Sequence, residues 1–156
     1  MRLTTAIVSI VLFLNYSCNT GNNNAQDEGM ILRLELFTSD MKKSVDFYTG
    51  ILDFTMEGEK INLSYQPVKK DNVILGIGPL SKLSEDHHFN PDLKNIQKGY
   101  GVEIVLEVDN VAEVYEKVKA SGYPVEVPLT TQSWGLTDFR VVDPDGYYLR
   151  ITSKQE

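Results

Sequence analysis

A run of alternating apolar residues followed by a helical stripe occurs twice in this chain, about 70 residues apart. A repeat at fixed period constrains architecture more than any single motif. In the first copy Leu32, Leu34 and Leu36 alternate with Arg33, Glu35 and Phe37. In the second, Val102, Ile104 and Leu106 alternate with Glu103, Val105 and Glu107. Period two assigns strands to 30–38 and 101–108. Ser39 or Asp40 then starts one helix, and Asp109-Asn110 starts the other. Val45, Tyr48 and Leu52 form the apolar side of the first helix. Val111, Val114, Tyr115 and Val118 form that of the second, which Gly122 ends.

Three short strands follow each helix. They are expected at 54–57, 61–66 and 73–77, and at 125–127, 137–142 and 147–152, with turns at 69–72 and 143–146. Each copy therefore reads βαβββ. One such unit leaves a concave sheet face uncovered; two together enclose a cleft. The expected fold is α+β, with modules 30–78 and 101–156 forming an incomplete barrel around that cleft. The long connection 79–100 joins the modules and is placed to cover the pocket. Arg33 and Glu103 fall at equivalent positions of the two copies, so both are expected at the shared cleft.

The 156 residues allow one domain with a sizeable core. The formal net charge of −7 argues against a nucleic-acid partner, which calls for a basic surface. It also argues against charge-driven adsorption to anionic lipid. The first 17 residues read as an export signal: Arg2 is the positive end and 6–14 is an apolar run too short to span a bilayer. The single cysteine, Cys18, follows directly and has no partner for an internal disulfide. Its placement resembles a bacterial lipoprotein acylation site, which implies an exported chain anchored in the cell envelope by lipid alone. Plain secretion with cleavage nearby is the alternative. Residues 18–29 are polar and rich in Asn and Gly, and read as a flexible tether.

The segments L-R-L-E-L-F-T-S-D-M-K-K-S-V-D-F-Y-T-G-I-L-D-F at 32–54, G-V-E-I-V-L-E-V-D-N-V at 101–111 and D-F-R-V-V-D-P-D-G-Y-Y-L-R-I at 138–151 together resemble the vicinal oxygen chelate superfamily. That superfamily includes glyoxalase I, extradiol dioxygenases and the bleomycin-resistance binding proteins. The resemblance covers 30–156 and is nearest in pattern to the bleomycin-resistance-like branch. Members that use a metal draw its ligands from the first and last strand of each module. The resemblance carries those positions onto Arg33, Gly76, Glu103 and Arg150, with Leu75 in place of Gly76 if the register slips by one. Only Glu103 among the four can donate to a metal. A guanidinium has no lone pair and keeps its proton. The reading is therefore no metal and no cofactor.

The residues leave three roles open for an Arg33–Glu103–Arg150 cluster. It is a buried structural ion-pair cluster; or its surplus positive charge receives an anionic ligand group, with Glu35 able to cancel the surplus; or Glu103 or Glu35 acts as a general base. Phe37 and Trp134 are expected to line the cleft, with Tyr100 near its rim and Phe139 in the core. His87 and His88, with Asp86 beside them, read as surface residues in the long loop. The function expected is metal-free binding of a small organic, anionic-capable molecule in the cleft. The alternatives are a metal-dependent glyoxalase- or dioxygenase-type enzyme and an envelope interaction module with a closed cleft. A homodimer is allowed by the exposed sheet edges.

Overall fold

The computed structural model describes residues 32–89 and 98–155. The expected export signal, the tether and Cys18 lie outside the described residues. Module one runs β1 (Leu34–Thr38), α1 (Met41–Asp46), β2 (Thr55–Met56), β3 (Gln66–Lys70) and β4 (Val73–Pro79). Module two runs β5 (Glu103–Val108), α2 (Val111–Ala120), β6 (Val127–Thr131), β7 (Thr137–Val142) and β8 (Tyr148–Ser153). Each module builds a four-stranded sheet, ordered β1-β4-β3-β2 in one and β5-β8-β7-β6 in the other. The first and last strands pair in parallel in both modules, and the remaining pairs are antiparallel. The fold is α+β, and the two sheets do not close into a barrel.

Local chemistry explains these elements. Asp40 caps α1 by accepting from the Lys43 amide at 3.0 Å, and Asn110 caps α2 by accepting from the Glu113 amide at 3.2 Å. After α1 the helix widens into a π-turn at Phe47–Ile51, which sends Tyr48 into the core. Gly122 ends α2 at φ +75°, a conformation a side chain resists. The core lies between helices and sheets, around Val45, Tyr48, Val68, Leu75, Val118, Phe139 and Leu149.

One strand departs from expectation. Residues 61–66 were expected to be extended, but the strand begins at Gln66. Asn62 closes a tight turn, its side chain accepting from the Ser64 amide at 2.9 Å and its carbonyl from the Tyr65 amide at 3.2 Å. Asn side chains bonded to the backbone two residues on compete with strand formation. The strand instead contains Pro67, which is tolerated because β2 pairs only with Val68 and Lys69. Likewise 125–127 gives way to a later strand at Val127–Thr131.

Polar contacts lock the modules at one junction. The turn between β7 and β8 reaches across to the β1–α1 corner. There Asp145 accepts from the Ser39 amide at 3.0 Å and the Ser44 hydroxyl at 2.5 Å. The Tyr48 hydroxyl donates to Asp143 at 2.9 Å, and the Tyr147 hydroxyl accepts from the Phe37 amide at 3.1 Å. Burial raises the Asp143 carboxyl above its usual range, against the lowering effect of hydrogen bonds from the Tyr147 amide, the Tyr48 hydroxyl and the Asp145 amide. A carboxyl raised by folding favours the folded state most below its unfolded value, about 3.9. That contribution is lost as pH rises through the folded value. Wild type should thus lose stability relative to Asp143→Asn as pH rises from about 4 to 7. Urea midpoints of both proteins across that range test this; a constant difference would contradict it.

Candidate functional site

Alternation along β1 and β5 sorts their side chains to opposite faces. Leu36 and Thr38, with Ile104 and Leu106, are buried on the helix side. Glu35 and Phe37, with Glu103 and Val105, therefore lie on the open concave faces.

On the second sheet an ion-pair cluster crosses three strands. Glu103 sits between two guanidiniums, with Oε1 3.5 Å from Arg140 Nε and Oε2 3.4 Å from Arg150 Nε. Arg140 Nη1 donates to Asp138 Oδ1 at 2.5 Å, and Gln132 Nε2 donates to the same oxygen at 2.8 Å. Asp138 is fully buried, and among the described residues its Oδ2 has no hydrogen-bond partner. Arg150 Nε is within ion-pair distance of Glu103 but makes no aligned hydrogen bond. The cluster holds two arginines and two carboxylates, so it carries no surplus charge.

This corrects the expected membership. Glu103 and Arg150 do meet, but Arg33 is not with them. Arg33 precedes β1, and its Nε pairs with Glu35 Oε1 at 2.7 Å, the guanidinium lying 6.0 Å from the centre of the Tyr65 ring. Glu35 lies two residues on along the same face, so Arg33 pairs locally. The second cation is Arg140, the antiparallel register partner of Arg150. Counting outward from the 143–146 turn would have found it. Asp138, two residues further on, cancels the positive surplus that the sequence implied.

On the first sheet Glu35 lies against Gly76 in register. The Tyr65 hydroxyl donates to Glu35 Oε1 at 2.9 Å. Burial, then that hydrogen bond, raises the Tyr65 phenol above its usual range. A Cβ on Gly76 would stand 2.2 Å from Glu35 Oε2 and 2.3 Å from the Tyr65 hydroxyl. Glycine is therefore what lets this carboxylate and phenol lie across β4.

Phe37 packs under the long loop, its ring centre 6.0 Å from that of His87 and 5.6 Å from that of Phe89. His87 Nδ1 accepts from the Phe89 amide at 3.1 Å, which places the proton of the neutral ring on Nε2. His88 meets the Phe89 ring edge-on. Trp134 stands 57% exposed on the turn between β6 and β7. Tyr100 is more exposed still, and Phe139 is core as expected. The turn's contribution to the cluster comes from Gln132, which the sequence reading passed over.

Residues 30–151 match the family model described as the Glyoxalase/Bleomycin resistance protein/Dioxygenase superfamily. The chain belongs to that superfamily. Among curated proteins it is similar to the lactoylglutathione lyase of Escherichia coli O157:H7, 28% identical over 130 residues, 81% of this chain and 93% of that protein. Among solved structures it is similar to TioX from Micromonospora sp. ML1, with TM-score 0.64 and 18% identity, covering 81% of this chain and all of TioX. It is also similar to the bleomycin resistance determinant encoded on transposon Tn5, with TM-score 0.60 and 19% identity, covering 82% of this chain and all of that one.

The superfamily's metal can be tested against these side chains. At the four positions stand Arg33, which is paired with Glu35; Gly76, whose space is taken by Glu35 and Tyr65; Glu103; and Arg150. Glu103 alone is a donor, and it is committed to two guanidiniums that would repel a divalent ion. Among the described residues no group of three or more His, Cys, Asp or Glu side chains is placed to hold a metal ion. The residues at these four positions do not fit the metal.

Proposed function

We propose that this superfamily member binds a small organic molecule on its concave faces without a metal. The observation that carries the reading is the position of Glu103, held between Arg140 and Arg150 where a metal-using relative would present a ligand. The face around it keeps recognition chemistry: guanidinium edges that remain partly exposed, the Glu35–Tyr65 pair, and the aromatic surface of Phe37. A few polar anchors beside apolar wall suit small-molecule recognition. The anionic preference expected from sequence loses its basis, because Asp138 balances the second arginine. The ligand class that fits is a neutral or zwitterionic molecule that hydrogen-bonds to Arg150.

The test is a thermal-shift and calorimetry screen of the mature chain against neutral, zwitterionic and anionic metabolites and drugs. A ligand whose binding is lost in Arg150→Ala supports the proposal; absence of any ligand, or hits confined to metal-loaded protein, counts against it. The lactoylglutathione lyase relatives favour a second reading as a lyase. It requires a donor set that these four positions do not supply.

The proposal extends to location. The apolar run at 6–14 followed by Cys18 supports export and acylation of that cysteine. Cells fed a labelled fatty acid should label the wild-type chain and not Cys18→Ser; equal labelling of both would refute it. Self-association through exposed sheet edges fits the two four-stranded sheets, and light scattering that finds only monomer at high concentration would exclude it.

A further inference from the structure

We infer that a second site, away from the concave faces, takes a small aromatic amine in a groove between the modules. The groove has a volume of about 300 Å³ and lies between the Leu52–Phe54 and Lys70–Val73 segments of module one and the β5–α2 corner of module two. Its position follows from the internal repeat. Register pairs Leu34 with Leu75 and Ile104 with Leu149, so β4 and β8 correspond as β1 and β5 do. Asp71 is then the counterpart of Asp145, Val73 of Tyr147, Val114 of Ser44 and Val118 of Tyr48. The groove is thus the twin of the locked junction at the β7–β8 turn.

The two twins differ in what fills them. Two phenol rings, Tyr48 and Tyr147, close the first junction and donate or accept hydrogen bonds there. Valines stand at both positions in the second: Val73 lines the groove, over an apolar floor that includes Phe54, Leu106 and Ile151, while Val118 is buried in the core. In the locked junction Asp145 receives the Ser39 and Ser44 hydroxyls. Its counterpart Asp71 faces Asp109 and Val114 positions, which offer no hydroxyl.

Charge selects the occupant. Lys117 pairs with Asp53 across the groove, and Lys154 pairs with Asp109. The Lys70 ammonium donates to the Leu52 carbonyl at 2.8 Å. Among the described residues that line the groove, the carboxylates Asp53, Asp71, Glu107, Asp109 and Glu113 outnumber the lysines Lys70, Lys117 and Lys154; the Lys154 ammonium also feels Asp71 and Glu107. An apolar floor under an acidic rim fits a ring of phenol size carrying an ammonium group, which restores the absent tyrosine and meets the excess carboxylates.

Three probes test this on the mature chain: tyramine (cationic), p-cresol (neutral) and 3-(4-hydroxyphenyl)propionate (anionic). Binding is read from the methyl signals of Val114 and Ile151 by NMR. Tyramine is expected to bind roughly tenfold or more tightly than the anion, a difference that one attractive charge contact at the surface readily supplies. Val73→Tyr should abolish tyramine binding while keeping the fold. Should that variant fail to fold, Asp71→Asn should weaken tyramine and leave p-cresol unchanged. Silent methyls with all three probes, equal affinity for amine and anion, or undiminished tyramine binding in a folded Val73→Tyr or Asp71→Asn would each overturn the inference. Because Arg150 lies on the other face, loss of the groove ligand and loss of the Arg150-dependent ligand are separate results.

Discussion

Replacing Arg140 with methionine should lower the unfolding free energy by about 3–5 kcal/mol. Among the described residues Arg140 is the one cation paired with Asp138, a carboxylate with no exposure to solvent. Methionine keeps most of arginine's apolar stem but supplies no donor. The substitution leaves a buried negative charge without its counter-ion, and such a charge costs far more than the intact pair contributes. Gln132 still donates one hydrogen bond to Asp138, but Oδ2 is already without a partner. The double variant Asp138→Asn/Arg140→Met removes the stranded charge and should recover most of the loss. Urea unfolding of wild type, single and double variants measures the effect. A single-variant loss under about 1 kcal/mol, the range of exposed ion pairs, would show that Asp138 is not held as described.

Tyr48→Val should cost about 2–4 kcal/mol, from the cavity left by the ring and the hydrogen bond lost to Asp143. Tyr48 is wholly buried, its ring 5.0 Å from Phe47 and 5.7 Å from Phe54 between centres. Its hydroxyl meets Asp143 on the other module, so the loss falls on both the core and the junction. Valine is the residue the repeat already places at the equivalent position, Val118. The locked junction should then resemble its open twin. Tyr48→Phe, which keeps the ring, should retain most of the packing and lose only the hydrogen-bond share, about 1–3 kcal/mol. Equal losses in the two variants, read by the same urea titrations, would mean that the ring packing contributes little.

The repeat was legible because it rests on periodicity, a local property of the chain. Strand alternation at Leu34–Leu36 and Ile104–Leu106, the Asp40 and Asn110 caps, and the Asp143–Gly146 turn all depend on neighbours within a few residues. The displaced strand at Gln66–Lys70 shows where that logic fails. Its start is decided by the Asn62 turn and by β4 alongside, not by the apolar count of 61–66. The candidate site was half legible for the same reason. Glu103 follows from carrying the repeat across the modules, and Arg150 from the resemblance to the superfamily. Arg140 and Asp138 enter only through the β7–β8 register, and Arg33 leaves because a nearer carboxylate, Glu35, captures it. The tyrosine-to-valine difference between the twin junctions was written in the sequence. It acquires meaning only once the register aligns β4 with β8.

The direct test of metal-free binding is elemental analysis of the purified protein after incubation with excess zinc, nickel, manganese and iron salts followed by desalting. Far less than one ion per chain is expected, with Glu103→Ala indistinguishable from wild type. One tightly held ion per chain, lost on Glu103→Ala, would contradict it.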